Sequence, residues 1–166
     1  DSLVSGKVKN IENFKKKKNF IFFKTSIENI ENKIKAYKIK YVFHFAGHGE
    51  LIPSVDRPLQ YFHNNSYLTA LLIDIFKNKK FKLKKFVYAA SSSCYGLQKG
   101  SVNENAKIDL QHPYAFSKYI GEQAVIHWSK VYQIPYISLR IFNAYGPRSR
   151  TSNVYGAVMG VFLKKK

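Results

Sequence analysis

Cysteine is almost missing from this chain: Cys94 is the only one in 166 residues, so no internal disulfide can form. That usage fits a reducing compartment, and the expected location is the cytoplasm. Long apolar runs are missing too. No stretch approaches the 18 or so residues that a membrane span needs, which argues against a membrane partner. Acid is scarce, with 10 Asp and Glu against 28 Lys and Arg, giving a formal charge of +18. Only four of those basic residues are arginine, the better reader of base edges and phosphates. The lysines cluster at Lys15 to Lys18, Lys77 to Lys85 and Lys164 to Lys166, among Asn, Ile and Phe. We read them as compositional bias and solvated faces, with no nucleic-acid partner. A polyanion binder would have to keep its affinity in moderate salt, against the steep loss that counterion release predicts. The first residue is Asp1, so an N-terminal targeting signal cannot be read.

What is present suffices for a core: 45% of the residues are apolar and 16% aromatic. The short run Phe20 to Phe23 suits a buried strand. Thr25-Ser26-Ile27-Glu28 has the form of a capping box, and Ile27, Ile30, Ile34 and Tyr37 then recur at helical spacing. Tyr41 to Phe45 reads as the next strand, Leu68 to Phe76 as a second helix and Phe86 to Ala90 as a third strand. A polar loop from Gly96 to His112 leads into a helix from about Tyr114 to Tyr132, and Tyr136 to Ile141 reads as a fourth strand. Strands alternating with helices predict parallel βαβ units, hence an α/β, doubly wound sheet. Ligands of such sheets sit at the carboxyl ends of the strands, where the strand order reverses. Small or polar residues stand at three of those ends: Ala46-Gly47, Ser91-Ser92-Ser93 and Phe142-Asn143.

Within that frame Tyr114 and Lys118 are the candidate acid/base pair. Tyr-x-x-x-Lys alone is weak, because 12 tyrosines and 24 lysines in 166 residues give about two such pairs by chance, and Tyr95 with Lys99 is another. Tyr114 and Lys118, however, sit at i and i+4 of a helix and share a face, behind a serine cluster that ends a strand. A phenol ionises near pH 10, so a base at neutrality needs about 4 kcal/mol of help. One ammonium about 4 Å away at an effective dielectric of about 20 supplies roughly that amount. A serine hydroxyl could then bridge a substrate oxygen and the tyrosinate.

Six motifs in order carry a resemblance: Asp1-Ser2-Leu3-Val4-Ser5-Gly6, HFAG at 44 to 47, Ser54 with Pro58 and Asn65, AASSSCYG at 89 to 96, HPYAFSK at 112 to 118, and LRIFNAYGP at 139 to 147. Together they resemble the extended short-chain dehydrogenase/reductase family, specifically its NAD-dependent nucleotide-sugar epimerases and dehydratases. The resemblance implies a Rossmann-type sheet and NAD as cofactor. It implies Ser91, Tyr114 and Lys118 as the catalytic set, with Tyr114 as base and Lys118 holding the nicotinamide ribose. Asp1 would accept from the adenosine ribose, and a carboxylate there favours NAD over NADP. Phe45, Ala46, Gly47, Asn65 and Phe142 would line the cofactor, while Ser91, Ser92, Ser93 and Asn143 would meet a nucleotide sugar. Ser26 stands where many relatives carry an aspartate near the adenine, and Ile141 replaces the tyrosine of an RYFN motif.

Dehydrating members carry an Asp-Glu pair just after the catalytic hydroxyl, and decarboxylating members a Glu two residues before the tyrosine of YG. Here those positions hold Ser92 and Ser93, which favours a 4-epimerase of a UDP-hexose, UDP-N-acetylhexosamine or UDP-hexuronate. A dehydratase or decarboxylase, or a non-catalytic NAD-binding scaffold, is the alternative. No G-x-x-G-x-x-G loop occurs. In the strand order 3-2-1-4-5-6 the first strand is central, and this chain starts at the end of the second. The expectation is therefore an incomplete fold: residues 1–143 as a partial NAD-binding domain and 144–166 as the start of the substrate-binding lobe. The first strand, the glycine-rich loop and most of the C-terminal lobe would be absent. Such a piece is expected to bind NAD poorly and to be inactive alone, and the full-length protein is expected to be a homodimer.

Overall fold

The computed structural model describes residues 1–4, 6–144, 146, 147 and 162, apart from the side chain of Lys79. The expected start of a second lobe at 144–166 falls almost wholly outside them.

Three strands form the sheet: β1 (Tyr41–His44), β2 (Lys85–Ser91) and β3 (Tyr136–Ile141). They lie side by side in that order, all parallel. Parallel neighbours need crossovers. The first runs through α1 (Ile52–Asp56), α2 (Pro58–Phe62), a π turn (His63–Tyr67) and α3 (Leu68–Ile75). The second is the 20-residue α4 (Pro113–Tyr132). The register sets Val42 beside Phe86, then His44 beside Tyr88, and it aligns Ala90 with Arg140. Side chains alternate across a sheet, so Phe86, Tyr88 and Ala90 all point at the helices. There they join Leu72, Ile73, Phe76, Val125 and Ile134 in the core. The opposite face keeps Phe43, Phe45, Ile137 and Leu139 exposed.

Residues 20–23 are not a strand. A strand exists through its ladder, and the pairing found here is one step long: Asp1 N–H donates to the Phe23 carbonyl and Thr25 N–H to the Asp1 carbonyl. The helix expected from Ile27 to Tyr37 breaks into a 3₁₀ turn at Ile27–Asn29 and one α turn at Glu31–Ile34. Its isoleucines still pack on the core, and short helices gain little from propensity alone. In the other direction, helical structure begins well before Leu68, because Pro53 and Pro58 sit in the first turns of α1 and α2 where a missing N–H is harmless. The strand order runs 1-2-3, so no reversal lies inside the described sheet. Among the described residues no helix is long and apolar enough to cross a membrane.

Candidate active site

β1 ends at His44, paired with Tyr88, whereas β2 runs on to Ser91. The last residues of β2 therefore pass the end of β1, and α4 starts above them. Tyr114 is the second residue of α4, and its Oη donates to Ser91 Oγ at 3.2 Å. Ser91 Oγ also accepts from Ser93 N at 3.2 Å and shares a 2.7 Å hydrogen bond with Ser93 Oγ. One helical turn along, the Lys118 ammonium donates to the Ala89 carbonyl, two residues before Ser91 on the same strand, and lies 4.6 Å from the Tyr88 ring centre. No direct hydrogen bond joins Tyr114 and Lys118; β2 is what both reach.

Lys118 is 8% exposed, and burial lowers its pKa to about 8, partly opposed by Glu122. It therefore stays mostly charged at pH 7, a cation buried against the Ala89 carbonyl and the Tyr88 ring. Glu122, one turn further and also buried, is held by Arg140 Nε at 3.1 and 3.0 Å and by Ser138 Oγ at 2.7 Å. Arg140 Nη1 goes on to Tyr95 Oη at 2.8 Å. Glu122 and Arg140 thus tie α4, β3 and the exit of β2 together. The sequence reading passed over Glu122, although it stands four residues beyond Lys118 on the face that carries Tyr114. A carboxylate on a buried helix face is rare unless paired, so the pattern could have pointed to it.

Asn65 lies in the π turn, whose extra residue turns both Asn65 and Ser66 towards α4. Its amide is 1% exposed and fully engaged: Nδ2 donates to the His48 carbonyl and to Ser117 Oγ, each at 3.0 Å, while Oδ1 accepts from His48 N at 2.8 Å. Asn65 therefore clamps the loop after β1. Gly47 completes the fit, since a Cβ there, at φ +156°, would lie 2.6 Å from Asn65 Oδ1. Phe45, Ala46 and Gly47 form the exposed surface of that loop. Gly121 does the same for the helix pair: a Cβ would overlap the Asn65 carbonyl and meet Tyr88 Oη at 2.6 Å.

Ser91, Ser93, Tyr114 and Lys118 are thus brought together, and Phe45 to Gly47 lie at the same edge of the sheet. Phe142 and Asn143 follow β3 at that edge, exposed, without a hydrogen bond to the serine cluster. Ser92 is half-buried in the turn between Ser91 and Ser93. Asp1 sits beside residues 23–25, where its carboxylate accepts from Leu3 N at 2.6 Å.

The family described as "NAD dependent epimerase/dehydratase family" matches residues 5–166. The chain belongs to that family. It is 28% identical over 163 residues to the uncharacterized UDP-glucose epimerase YtcB of Bacillus subtilis, covering 96% of this chain and 50% of that one. It is 29% identical over 166 residues to the dTDP-D-glucose 4,6-dehydratase of Dictyostelium discoideum, covering 91% and 38%. Among solved structures, UDP-N-acetylglucosamine 4-epimerase from Methanobrevibacter ruminantium, in complex with UDP-N-acetylmuramic acid, superposes with a TM-score of 0.89 at 30% identity over 99% of this chain and 52% of that one. UDP-glucuronic acid 4-epimerase from Bacillus cereus, in complex with UDP-glucuronic acid and NAD, gives 0.80 at 30% identity over 88% and 46%. The fold is thus the Rossmann type of these epimerases. The chain spans about half the length of the solved epimerases it matches.

Proposed function

We propose that the gene product carrying this chain is an NAD-dependent nucleotide-sugar 4-epimerase. The observation that carries the reading is the hydrogen bond from Tyr114 Oη to Ser91 Oγ at the carboxyl end of β2, the strand to whose Ala89 carbonyl the buried Lys118 ammonium also donates. Tyr114, as its phenolate, takes the proton of a sugar hydroxyl and becomes a phenol, while Ser91 holds that hydroxyl's oxygen against it and the Lys118 charge stands one helical turn along. Ser92 and Ser93 stand where dehydration would need acids, and neither hydroxyl is strong enough an acid to expel water. That favours epimerisation over the dehydratase activity named for the Dictyostelium relative. The sugar is a UDP-hexose, UDP-N-acetylhexosamine or UDP-hexuronate, in line with the substrates in the names of the relatives.

The loop after β1 is the surface we assign to NAD. The Phe45–Gly47 loop is exposed, and Gly47 lets a ligand approach its backbone while Asn65 keeps the loop in place. We assign Phe45, Ala46, Gly47, Lys118 and Phe142 to hold the cofactor, Asn65 to act through the loop and Asp1 to meet the adenosine ribose. When bound, NAD supplies a reversible hydride acceptor for the sugar carbon. Asn143 and the serine cluster hold the nucleotide sugar. Residues 1–143 form the cofactor side, and 144–166 open the substrate lobe. Leu59 is 81% exposed, and Phe62 stacks on Phe116 at 6.2 Å and 22° on the open side of α2 and α4; we assign this patch to a homodimer contact.

The test is an assay of the gene product with UDP-glucose and UDP-glucuronate. Interconversion at C4, lost in Tyr114→Phe, is the expected result. Release of water or carbon dioxide, or full activity in Tyr114→Phe, would refute the assignment.

A further inference from the structure

The first turn of a helix leaves its leading N–H groups without partners inside the helix, and each needs another acceptor. In α4 the groups from position 113 to 116 can be traced. Pro113 has no N–H. Tyr114 N donates to the buried Ser54 Oγ at 3.1 Å, Ala115 N to His112 Nδ1 at 3.1 Å, and Phe116 N to the His112 carbonyl at 3.1 Å. The cap is therefore an imidazole, where Ser, Thr, Asp and Asn are the usual choices. Its Nδ1 must be unprotonated to accept, and burial lowers the pKa of this ring, which keeps it neutral. A histidine cap also brings a ring that smaller caps lack: it lies 3° from parallel with the Tyr114 ring, centroids 5.9 Å apart, while Tyr61 meets Tyr114 edge-on.

We infer that His112 is a positioning residue for Tyr114: by capping the first turn of α4 it fixes the backbone from which the phenol reaches Ser91, 23 residues away. The inference rests on the reading of Tyr114 as the base. Tyr114 is only the second helical residue, so fraying of that turn would move it before anything else in α4. Loss of the cap therefore changes the chemical step more than binding, because the group displaced is the one that transfers the proton.

The experiment compares His112→Ala, His112→Asn (acceptor kept, aromatic ring lost) and His112→Phe (ring kept, acceptor lost) in the gene product, with UDP-glucose and UDP-glucuronate as probes. His112→Ala and His112→Phe should lose kcat by about 10- to 100-fold with KM within about threefold, the range expected for a group displaced by up to about 1 Å. His112→Asn should return kcat to within about threefold of the parent. Parent-like kcat in His112→Phe, or His112→Asn as low as His112→Phe, would overturn the inference. Should His112→Ala fail to fold by circular dichroism, the Asn and Phe variants decide alone. Parent-like activity in Tyr114→Phe would overturn the active-site reading and this inference with it. Failure of the His112 series beside an inactive Tyr114→Phe would overturn the inference only.

Discussion

Replacing Lys118 by methionine separates the buried charge from everything else the side chain does. The ammonium ordinarily titrates at 10.5 and here at about 8, because burial outweighs the help from Glu122. That difference amounts to about 3 kcal/mol. The unfolded chain keeps the proton up to about 10.5 and the folded chain releases it near 8, so between those values the unfolded state binds more protons. Stability from this group therefore rises with pH across that window, and below pH 8 the folded protein carries the full cost of about 3 kcal/mol. Methionine removes the titration. It also leaves the Ala89 carbonyl without its donor, at about 1–3 kcal/mol, but a neutral amine would still donate, so that loss is the same at every pH. Urea unfolding of parent and Lys118→Met at pH 7, 8, 9 and 10.5 should give a stability difference that shifts by about 3 kcal/mol in favour of the parent as pH rises. Parallel curves would show that the ammonium is not buried as described. Activity should vanish in the same variant at all pH values.

Other outcomes follow from the same packing. His44 is held at a pKa of about 3 by burial and by Lys118, against 6.5 in the unfolded chain. Stability should therefore fall as pH drops from 6.5 towards 3, by about 1.4 kcal/mol per pH unit from this group, and His44→Gln should flatten that slope in urea titrations. Gly121→Ala should lower stability by at least about 1–3 kcal/mol, because the new methyl meets the buried Asn65 carbonyl and Tyr88 Oη; a neutral denaturation midpoint would contradict the close packing of α4 on the π turn. Leu59→Asp should convert the gene product from dimer to monomer by light scattering, and an unchanged mass would exclude the patch as the contact.

Much of the fold could be read from periodicity. The strands at 41–45, 86–90 and 136–141 and the helix at 114–132 agree with the structure within one or two residues. Phe20 to Phe23 has strand composition but no ladder, and pairing is a property of two segments. The helical stretch before Leu68 escaped for the opposite reason. Its buried positions include Tyr61, Asn65 and Ser66, and polar residues that earn burial by hydrogen bonding leave no apolar stripe. The site divides along the same line. Tyr114 and Lys118 were legible because helix geometry alone puts i and i+4 on one face. Glu122 shares that face, but its partners stand on β3, and His112 was not legible because a cap depends on where the helix begins.

By itself the amino-acid sequence determined the alternation of strand and helix, the shared face of Tyr114 and Lys118, and the glycine at 47, all consequences of local spacing. Only the tertiary structure decided that Tyr114 meets Ser91, that Lys118 lies buried against the Ala89 carbonyl, and that Asn65 grips the loop after β1. Those contacts join residues 17 to 29 positions apart, and proximity at such separations is set by how the helices pack on the sheet. Charge burial, which makes Lys118 different from the other described lysines, has the same origin.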